Sequence, residues 1–326
     1  MLTLLRAAAA ALALLALPAR ADVATAVEQV ILPGYAGFTE AARALETAAG
    51  ADCRPEALRP AYHAAFDAWM AVSHLRFGPA EEGGRSLAIA FWPDPKGSGA
   101  KTMARMIAAE DPAVEDPAAF AEVSIAARGL FALERLLYDP ALTGDYPCAL
   151  TRATAADLAR LAGEIEAGWG EFAPLLLTAG QPGNARFLTE TEARQALFTQ
   201  LMAGLEFTAD QRLGRPLGTF DRPRPERAEA RLSERSLRNV QLSLAALERL
   251  ARALAPDSPK TEAGFETAER LAAELDDPAL AGVGDVQGRL KVEILQQRIH
   301  ALRDTVTTDV GTALGVSTGF NAADGD

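Results

Sequence analysis

Apolar positions recur at helical spacing along most of the chain beyond the first twenty residues. In "AYHAAFDAWMAVSHLRF" (61–77), Tyr62, Phe66, Trp69 and Met70 repeat every three or four positions, which is the period of a helix buried on one face. Alternating runs of β-branched residues, which are typical of strands, are almost absent. The sequence is also rich in Ala, Leu, Arg and Glu, which favour helices. The pattern therefore predicts an all-α fold.

Clusters of Pro and Gly such as "PDPKGSG" and "DPALTGDYP" separate the helical patterns. They predict helices at residues 23–49 (bent at Pro33-Gly34), 55–77, 98–109, 116–138, 151–178, 189–213, 226–255, 260–276 and 285–313. Residues 79–97 are the least helical. We expect them to form a loop that carries Phe91 and Trp92 onto the helices.

Two short patterns occur twice. Phe-x-x-x-Met-Ala at 66–71 recurs at 198–203, and "ALERL" at 132–136 recurs at 246–250. The two offsets differ, and short matches of this kind also arise by chance, so duplication and coincidence both stay open. We divide the chain into a signal peptide (1–21), an N-terminal helical bundle (22–148) and a C-terminal helical bundle (149–326).

One acidic residue falls on an apolar helix face. At about 100° per residue, Glu134 in "AARGLFALERLLYD" (126–139) lies beside Leu130 and Leu137, with no basic residue three or four positions away. A buried carboxylate must be protonated, paired from another element or bound to a cation. Glu134 is therefore either bonded to an arginine or backbone group of a neighbouring helix, or part of a functional site.

The chain contains three histidines. For each, the alternative to a role in a site is a structural role in which the protein itself meets the hydrogen bonds of the imidazole. His63 and His74 flank the apolar stripe of 55–77 but are eleven residues, roughly 16 Å, apart along a helix, so they cannot bind one ion. Asp67 lies one turn from His63. We interpret His300 as structural. The sequence contains no His-Glu-x-x-His, Cys-x-x-Cys, Gly-x-Ser-x-Gly or phosphate-binding glycine motif.

The first residues resemble an export signal. Residues 1–6 carry one positive charge, 7–17 are apolar, and Ala19-Arg20-Ala21 is a small-x-small cleavage site without a following cysteine. Nothing later is apolar for 18 residues, so we expect a soluble periplasmic protein without a membrane span. Cleavage removes two arginines and no acid, which changes the formal charge from -12 to -14. This charge argues against nucleic-acid binding.

Two cysteines remain, Cys53 and Cys148. In an oxidising compartment a disulfide between them is favoured over a metal site, with two free buried thiols as the alternative.

Four segments resemble the imelysin family of bacterial periplasmic proteins. They are "FDAWMAVSHLRFGP" (66–79), "AFWPDPKG" (90–97), "RGLFALERLLYD" (128–139) and "ALGVSTGFNAADGD" (313–326). The resemblance implies two helical bundles related by duplication, with a site at their interface. It also implies an association with iron uptake, including the periplasmic component of ferrous-iron transport. The family was once described as insulin-cleaving metallopeptidases.

The family's Gly-x-His-x-x-Glu motif maps onto Gly129 and Glu134, but Phe131 stands at the histidine position. Phenylalanine cannot bind a metal, so peptidase activity is not expected and we assign no catalytic residue. The resemblance implies a site centred on Glu134. Its expected ligand-binding residues are Glu134, Gly129, His74, Arg76, Asp67, Arg85, Trp92 and Asn321, with Glu134 and His74 as metal ligands.

The sequence thus predicts a periplasmic binding or accessory protein of iron or haem acquisition. We expect its ligand to be a small molecule or a metal ion, with iron or haem as candidates, and its partner to be a membrane iron transporter. Two other interpretations stay open. One is a metal-dependent hydrolase using Glu134 and His74, and the other is a helical interaction protein with a degenerate site.

Overall fold

The computed structural model describes residues 23–317, so the expected signal peptide (1–21) and Asn321 lie outside the described residues. Over that range the chain is helical and contains no strand. The fold class is confirmed as all-α. The helices of ten residues or more in this part are α1 (Leu32–Ala51), α2 (Pro55–Met70), α3 (Ser98–Ala109), α4 (Gly129–Tyr138), α5 (Asp145–Leu177), α6 (Glu190–Glu206), α7 (Ser236–Leu254), α8 (Pro259–Ala273) and α9 (Val286–Leu314). Between residues 23 and 317, no helix combines the length and apolar character that crossing a bilayer requires.

Four helices of the first half form one bundle. Helix α1 packs against α2 and α5, and α4 packs against the same two helices from the other side. The predicted boundary after residue 148 falls inside the first turn of α5, although α5 packs chiefly on α1. We therefore propose a boundary after α5, and the division of the chain into two domains stays a prediction.

Helices α6 to α9 form the second bundle. Each contacts the next in chain order, and α9 closes the ring against α6. Both bundles thus follow the same sequential order around their axes. A duplication would produce this arrangement, and common ancestry of the halves stays a prediction.

The two bundles share one continuous core, with buried side chains that run from Val27 to Leu314. Helix α7 makes much of the contact between the halves, because it packs against α2 and against the helical turns of residues 23–31. Residues 23–31 include a π-helical turn, Val27–Ile31, just before Pro33. A proline lacks the N–H that would continue the regular ladder. The expected irregularity therefore lies one turn before the proline.

The predicted helix 116–138 is interrupted. A short helix, Pro117–Ala121, and a 3-10 turn, Ile125–Ala127, precede α4, which begins at Gly129 with φ of +70°. A Cβ atom at Gly129 would collide with the carbonyl oxygens of Ala88 and Ile89. This position therefore needs glycine for its left-handed conformation and for the close approach of another backbone. Gly129 thus has a packing role, and its expected ligand-binding role stays a prediction.

The predicted helix 226–255 begins only at Ser236. Residues 228–235 form a buried irregular segment in which Ala230 and Glu234 adopt positive φ angles of 47° and 54°. Their Ala-, Glu- and Arg-rich sequence has high helix propensity, but tertiary contacts of Glu229, Ser233 and Arg235 override it. We call residues 228–235 the buried segment.

Cys53 and Cys148 form a disulfide with a Cα–Cα distance of 5.4 Å, the pairing that the sequence analysis expected. Cys53 follows the end of α1, and Cys148 lies in the first turn of α5. The bridge therefore joins the end of one helix to the beginning of its main packing partner in the first bundle.

Candidate functional site

Glu134 is 5% exposed and faces the buried segment. One of its carboxylate oxygens accepts hydrogen bonds from the Ser233 N–H (2.9 Å) and the Ser233 hydroxyl (2.8 Å). Burial raises the pKa of this carboxyl above its usual value, and the two Ser233 bonds oppose that shift. Among the described residues no cation forms an ion pair with Glu134. The carboxylate is thus held across the interface by a backbone group and a hydroxyl.

Tyr62 is fully buried beside this pair. Burial first, and then the negative charge of Glu134, raise the pKa of the Tyr62 phenol well above its usual value. Its hydroxyl makes no hydrogen bond within residues 23–317. Glu134 and Tyr62 line neither of the two cavities that the structure describes.

Arg235, which is 1% exposed, connects the two halves. It donates to His63 Nδ1 (2.9 Å), Asp67 Oδ1 (2.7 Å) and Asn239 Oδ1 (3.0 Å). Because a guanidinium can only donate, His63 Nδ1 must accept, and its Nε2 must carry the hydrogen that bonds to Tyr138 Oη (2.7 Å). His63 is therefore neutral. Burial, followed by the charge of Arg235, lowers its pKa in agreement with this state.

The chain of contacts continues towards the second bundle. Asn239 donates to Glu229 Oε2 (3.0 Å), which also accepts from Arg212 Nε (2.8 Å). Asp67, Arg235, Asn239, Glu229 and Arg212 form what we call the polar network. Every charged member of it has an oppositely charged partner or a hydrogen bond within the protein. The network therefore resembles a structural element rather than an open site.

A cavity of about 290 Å³ lies at the same interface, where residues 73–76 after α2 meet α6, the π-helical turn Phe207–Leu213 and α7. Gly204 shapes it, because a Cβ there would clash with a Leu247 methyl group and press on His74 Cβ. Glycine thus brings α6, α7 and the end of α2 close together at the wall of the cavity. We call this the interface cavity.

His74 lines the interface cavity and is 8% exposed. Its Nε2 atom is buried and has no hydrogen-bond partner among the described residues. Burial lowers its pKa to about 3, and the charges of Arg249 and Arg212 add to that effect. The imidazole is therefore neutral at pH 7, with an unmet hydrogen-bonding group.

Arg76 and Arg212 both lie against the ring of Phe207. Their Cζ atoms are 4.3 Å and 4.8 Å from its centroid, and the Arg76 N–H donates to Gln200 Oε1 (2.8 Å). Trp92 packs on the same ring with a centroid distance of 6.0 Å. The loop 79–97 thus carries Trp92 to the neighbourhood of the cavity, as expected.

The structure divides the predicted site residues. His74 and Arg76 line the cavity, and Trp92 lies next to it. Asp67 belongs to the polar network. Arg85 bonds to Glu164 (3.2 Å), Glu82 (3.3 Å) and the Pro79 carbonyl oxygen (3.0 Å) and lines neither cavity.

The predicted metal pair is not brought together. Tyr62 lies beside Glu134 and precedes His74 by twelve residues. The first eight of these, as far as the end of α2 at Met70, rise about 12 Å along the helix axis. No cluster of three His, Cys, Asp or Glu side chains suited to a metal occurs within residues 23–317. Glu134 thus faces Ser233 while His74 lines the interface cavity, and the expected metal-binding role of the two residues stays a prediction.

Sequence reasoning missed Ser233, Arg235, Glu229, Arg212 and Phe207. The first two contact residues 99 to 172 positions away, so no local spacing could reveal them. The only signal for Arg235 was that two candidate residues, His63 and Asp67, share one face of α2 without a cationic partner there.

A model of the imelysin family matches residues 31–306. The chain belongs to the imelysin family. This imelysin is 25% identical over 317 aligned residues to iron-regulated protein A of Synechococcus elongatus, an alignment that covers 87% of this chain and 83% of that protein.

Two solved structures have the same fold as this imelysin. An imelysin-like protein from Psychrobacter arcticum superposes with a TM-score of 0.74 at 18% identity, covering 91% of this chain and 96% of that one. A candidate iron-regulated protein A precursor from Parabacteroides distasonis gives 0.65 at 14% identity, with coverages of 89% and 94%.

Phe131, where the resemblance places the motif's histidine, has a packing role. The Phe131 ring packs edge-to-face on Phe66, with centroids 5.6 Å apart. In this imelysin an aromatic contact thus takes the place that the motif gives to a histidine, one turn before Glu134.

Proposed function

We propose that this imelysin is a periplasmic binding protein of iron acquisition, and that its ligand occupies the interface cavity. The observation that carries the proposal is the cavity itself, which lies between the bundles and contains a buried imidazole without a partner. Family membership and a relative named as iron-regulated support the link to iron. The sequence-based export signal supports the periplasm.

The size of the cavity favours a small ligand. Its volume of about 290 Å³ is at the lower end of the range, roughly 300–1,000 Å³, of pockets for drug-sized molecules. A small iron chelate suits this volume better than haem. We therefore rank a small chelate or its organic part above haem.

The donor set around Glu134 does not fit a hydrolase. A catalytic zinc site needs three protein ligands and an open position. Phe131 supplies no ligand, and one Glu134 oxygen is already bonded to Ser233. The hydrolase interpretation is therefore disfavoured on the chemistry of the residues.

The test is elemental and absorbance analysis of the protein purified from its native periplasm, with and without iron supplementation. We expect iron or an iron chelate to co-purify with the wild type. We expect it to be lost from Ala203→Phe, which places a ring at the cavity wall. Ala100→Phe on exposed α3 is the matched control and should retain the ligand. Equal iron content in both variants, or no iron in the wild type under any condition, would contradict the proposal.

A further inference from the structure

The charges that line the interface cavity are unequally satisfied. Three of the four have partners that do not line it: Arg212 with Glu229 (2.8 Å), Glu206 with Arg303 (2.8 Å) and Asp210 with His300 (2.9 Å). The fourth, Arg76, forms no ion pair within the described residues. Among the described charged side chains that line the cavity, Arg76 is therefore the one without an ionic or side-chain hydrogen-bond partner.

The guanidinium of Arg76 is positioned but unused. Stacking on Phe207 orients its plane, and the Gln200 bond fixes its backbone. Its side-chain N–H groups make no hydrogen bond to any residue between 23 and 317. Burial of its inner part, and next the charge of Arg212, lower the pKa of Arg76, and the charges of Glu229 and Glu81 oppose that shift. The residue is exposed, so its guanidinium is open to a ligand. A planar fork of free donors matches a carboxylate in two parallel hydrogen bonds.

The other walls of the cavity determine the rest of the ligand. Ala203, Phe207 and Leu247 supply apolar surface, and the neutral ring of His74 adds to the same wall. A fully hydrated anion such as phosphate would lose water against the apolar walls without compensation. A carboxylate on a compact apolar body meets both requirements.

We propose that the interface cavity binds a small organic carboxylate, with Arg76 holding the carboxylate group and the apolar wall residues contacting the rest of the ligand. This proposal rests on the proposed function only in using the same cavity. It assigns the ligand class and the residue that selects it.

Calorimetric titration of metal-free protein with three probes tests the proposal: benzoate, its neutral analogue benzamide, and inorganic phosphate. We expect benzoate to bind at least about tenfold more tightly than benzamide, which lacks the charge that pairs with Arg76, and than phosphate, which would lose its hydration against the apolar walls. Equal binding of benzoate and benzamide, tighter binding of phosphate, or no binding of any probe would overturn the proposal.

Substitutions test whether Arg76 is the residue that binds the carboxylate group. Arg76→Gln should lose about tenfold or more of the benzoate affinity and the preference over benzamide, and Arg76→Lys should keep part of both. Arg105→Gln, an exposed arginine on α3 without an ion pair in the described structure, should change neither. If Arg76→Gln fails to fold, Ala203→Phe still tests the cavity, because it should abolish benzoate binding while Arg76 is retained.

The outcomes separate the two proposals. Benzoate binding is measured without iron, and iron content is measured without benzoate. Arg76-dependent benzoate binding in a protein that never carries iron would refute the proposed function alone. Iron that co-purifies with a protein that binds none of the three probes would refute the carboxylate proposal alone.

Discussion

The polar network and the interface cavity lie at the same junction between the bundles, and both contain buried ionisable groups. In the polar network the protein itself satisfies these groups, as when Arg235 bonds to His63, Asp67 and Asn239 at once. In the cavity, His74 Nε2 and the Arg76 guanidinium have no such partner among the described residues. Burial of a charge therefore does not by itself mark a binding site. Unmet hydrogen-bonding capacity beside open volume does.

The largest expected effect comes from breaking the polar network. Arg235→Met would leave Asn239 and His63 without their buried donor and remove one of the two partners of Asp67. Losing one member of a buried ion pair typically costs about 3–5 kcal/mol of unfolding free energy. Urea denaturation at pH 7 measures this loss.

Arg238→Gln is the matched control, because Arg238 pairs with the same Asp67 from a side chain that is 55% exposed. An exposed pair contributes about 1 kcal/mol or less. Similar losses for the two variants would show that Arg235 has no special structural role, and the contrast with the cavity would fail.

Parts of the fold could be predicted because their signals are local. The helix predicted at 98–109 coincides with α3. Its two signals, the apolar face and the "PDPKGSG" cluster at its start, each depend only on residues close together in the sequence. The helix predicted from residue 151 begins earlier, at Asp145. The reason is that Pro147 in the first turn is compatible with a helix start, where its missing N–H costs nothing.

The site was predictable only in part. The residue pattern singled out Glu134 and His74, and the family resemblance added Arg76. Neither could separate the roles of these residues, because the deciding partners lie in the buried segment or near Phe207. Glu134 accepts hydrogen bonds from Ser233, which lies 99 residues away in the sequence. No comparable donor reaches His74 Nε2 from the described part of the chain. That difference exists only in the tertiary structure.

An intermediate effect should appear in the pH dependence of His74. Its folded pKa is about 3 against an ordinary value of 6.5, so below pH 6.5 the unfolded chain binds a proton that the native state does not. The stability contributed by the neutral imidazole is therefore present above pH 6.5 and is lost as the pH falls towards 3. Relative to His74→Gln, the wild type should lose stability between pH 7 and pH 4 in thermal melts.

His300→Gln is the control for this experiment, because His300 is exposed and bonds to Asp210 at the surface. Its pH profile should follow that of the wild type. A His74→Gln profile parallel to the wild type would mean that folding does not lower the pKa of His74, and the contrast between this buried imidazole and His300 would fail.

The smallest effect, with the opposite sign, is expected for Glu134→Gln. The amide oxygen of glutamine can accept both Ser233 hydrogen bonds, so the substitution removes the charge and keeps the contact. The folded pKa of Glu134 is raised above its ordinary 4.5, mainly by burial. The native state therefore binds more protons than the unfolded chain between 4.5 and the raised pKa, and the stability contributed by the protonated carboxyl is lost as the pH rises through that interval. Wild type and Glu134→Gln should be about equally stable at pH 4, and the variant should be the more stable of the two at pH 7. A variant that is less stable than the wild type at pH 7 would show that the charge itself holds the buried segment, and Glu134 would then belong with Arg235 among the structural ions of the interface.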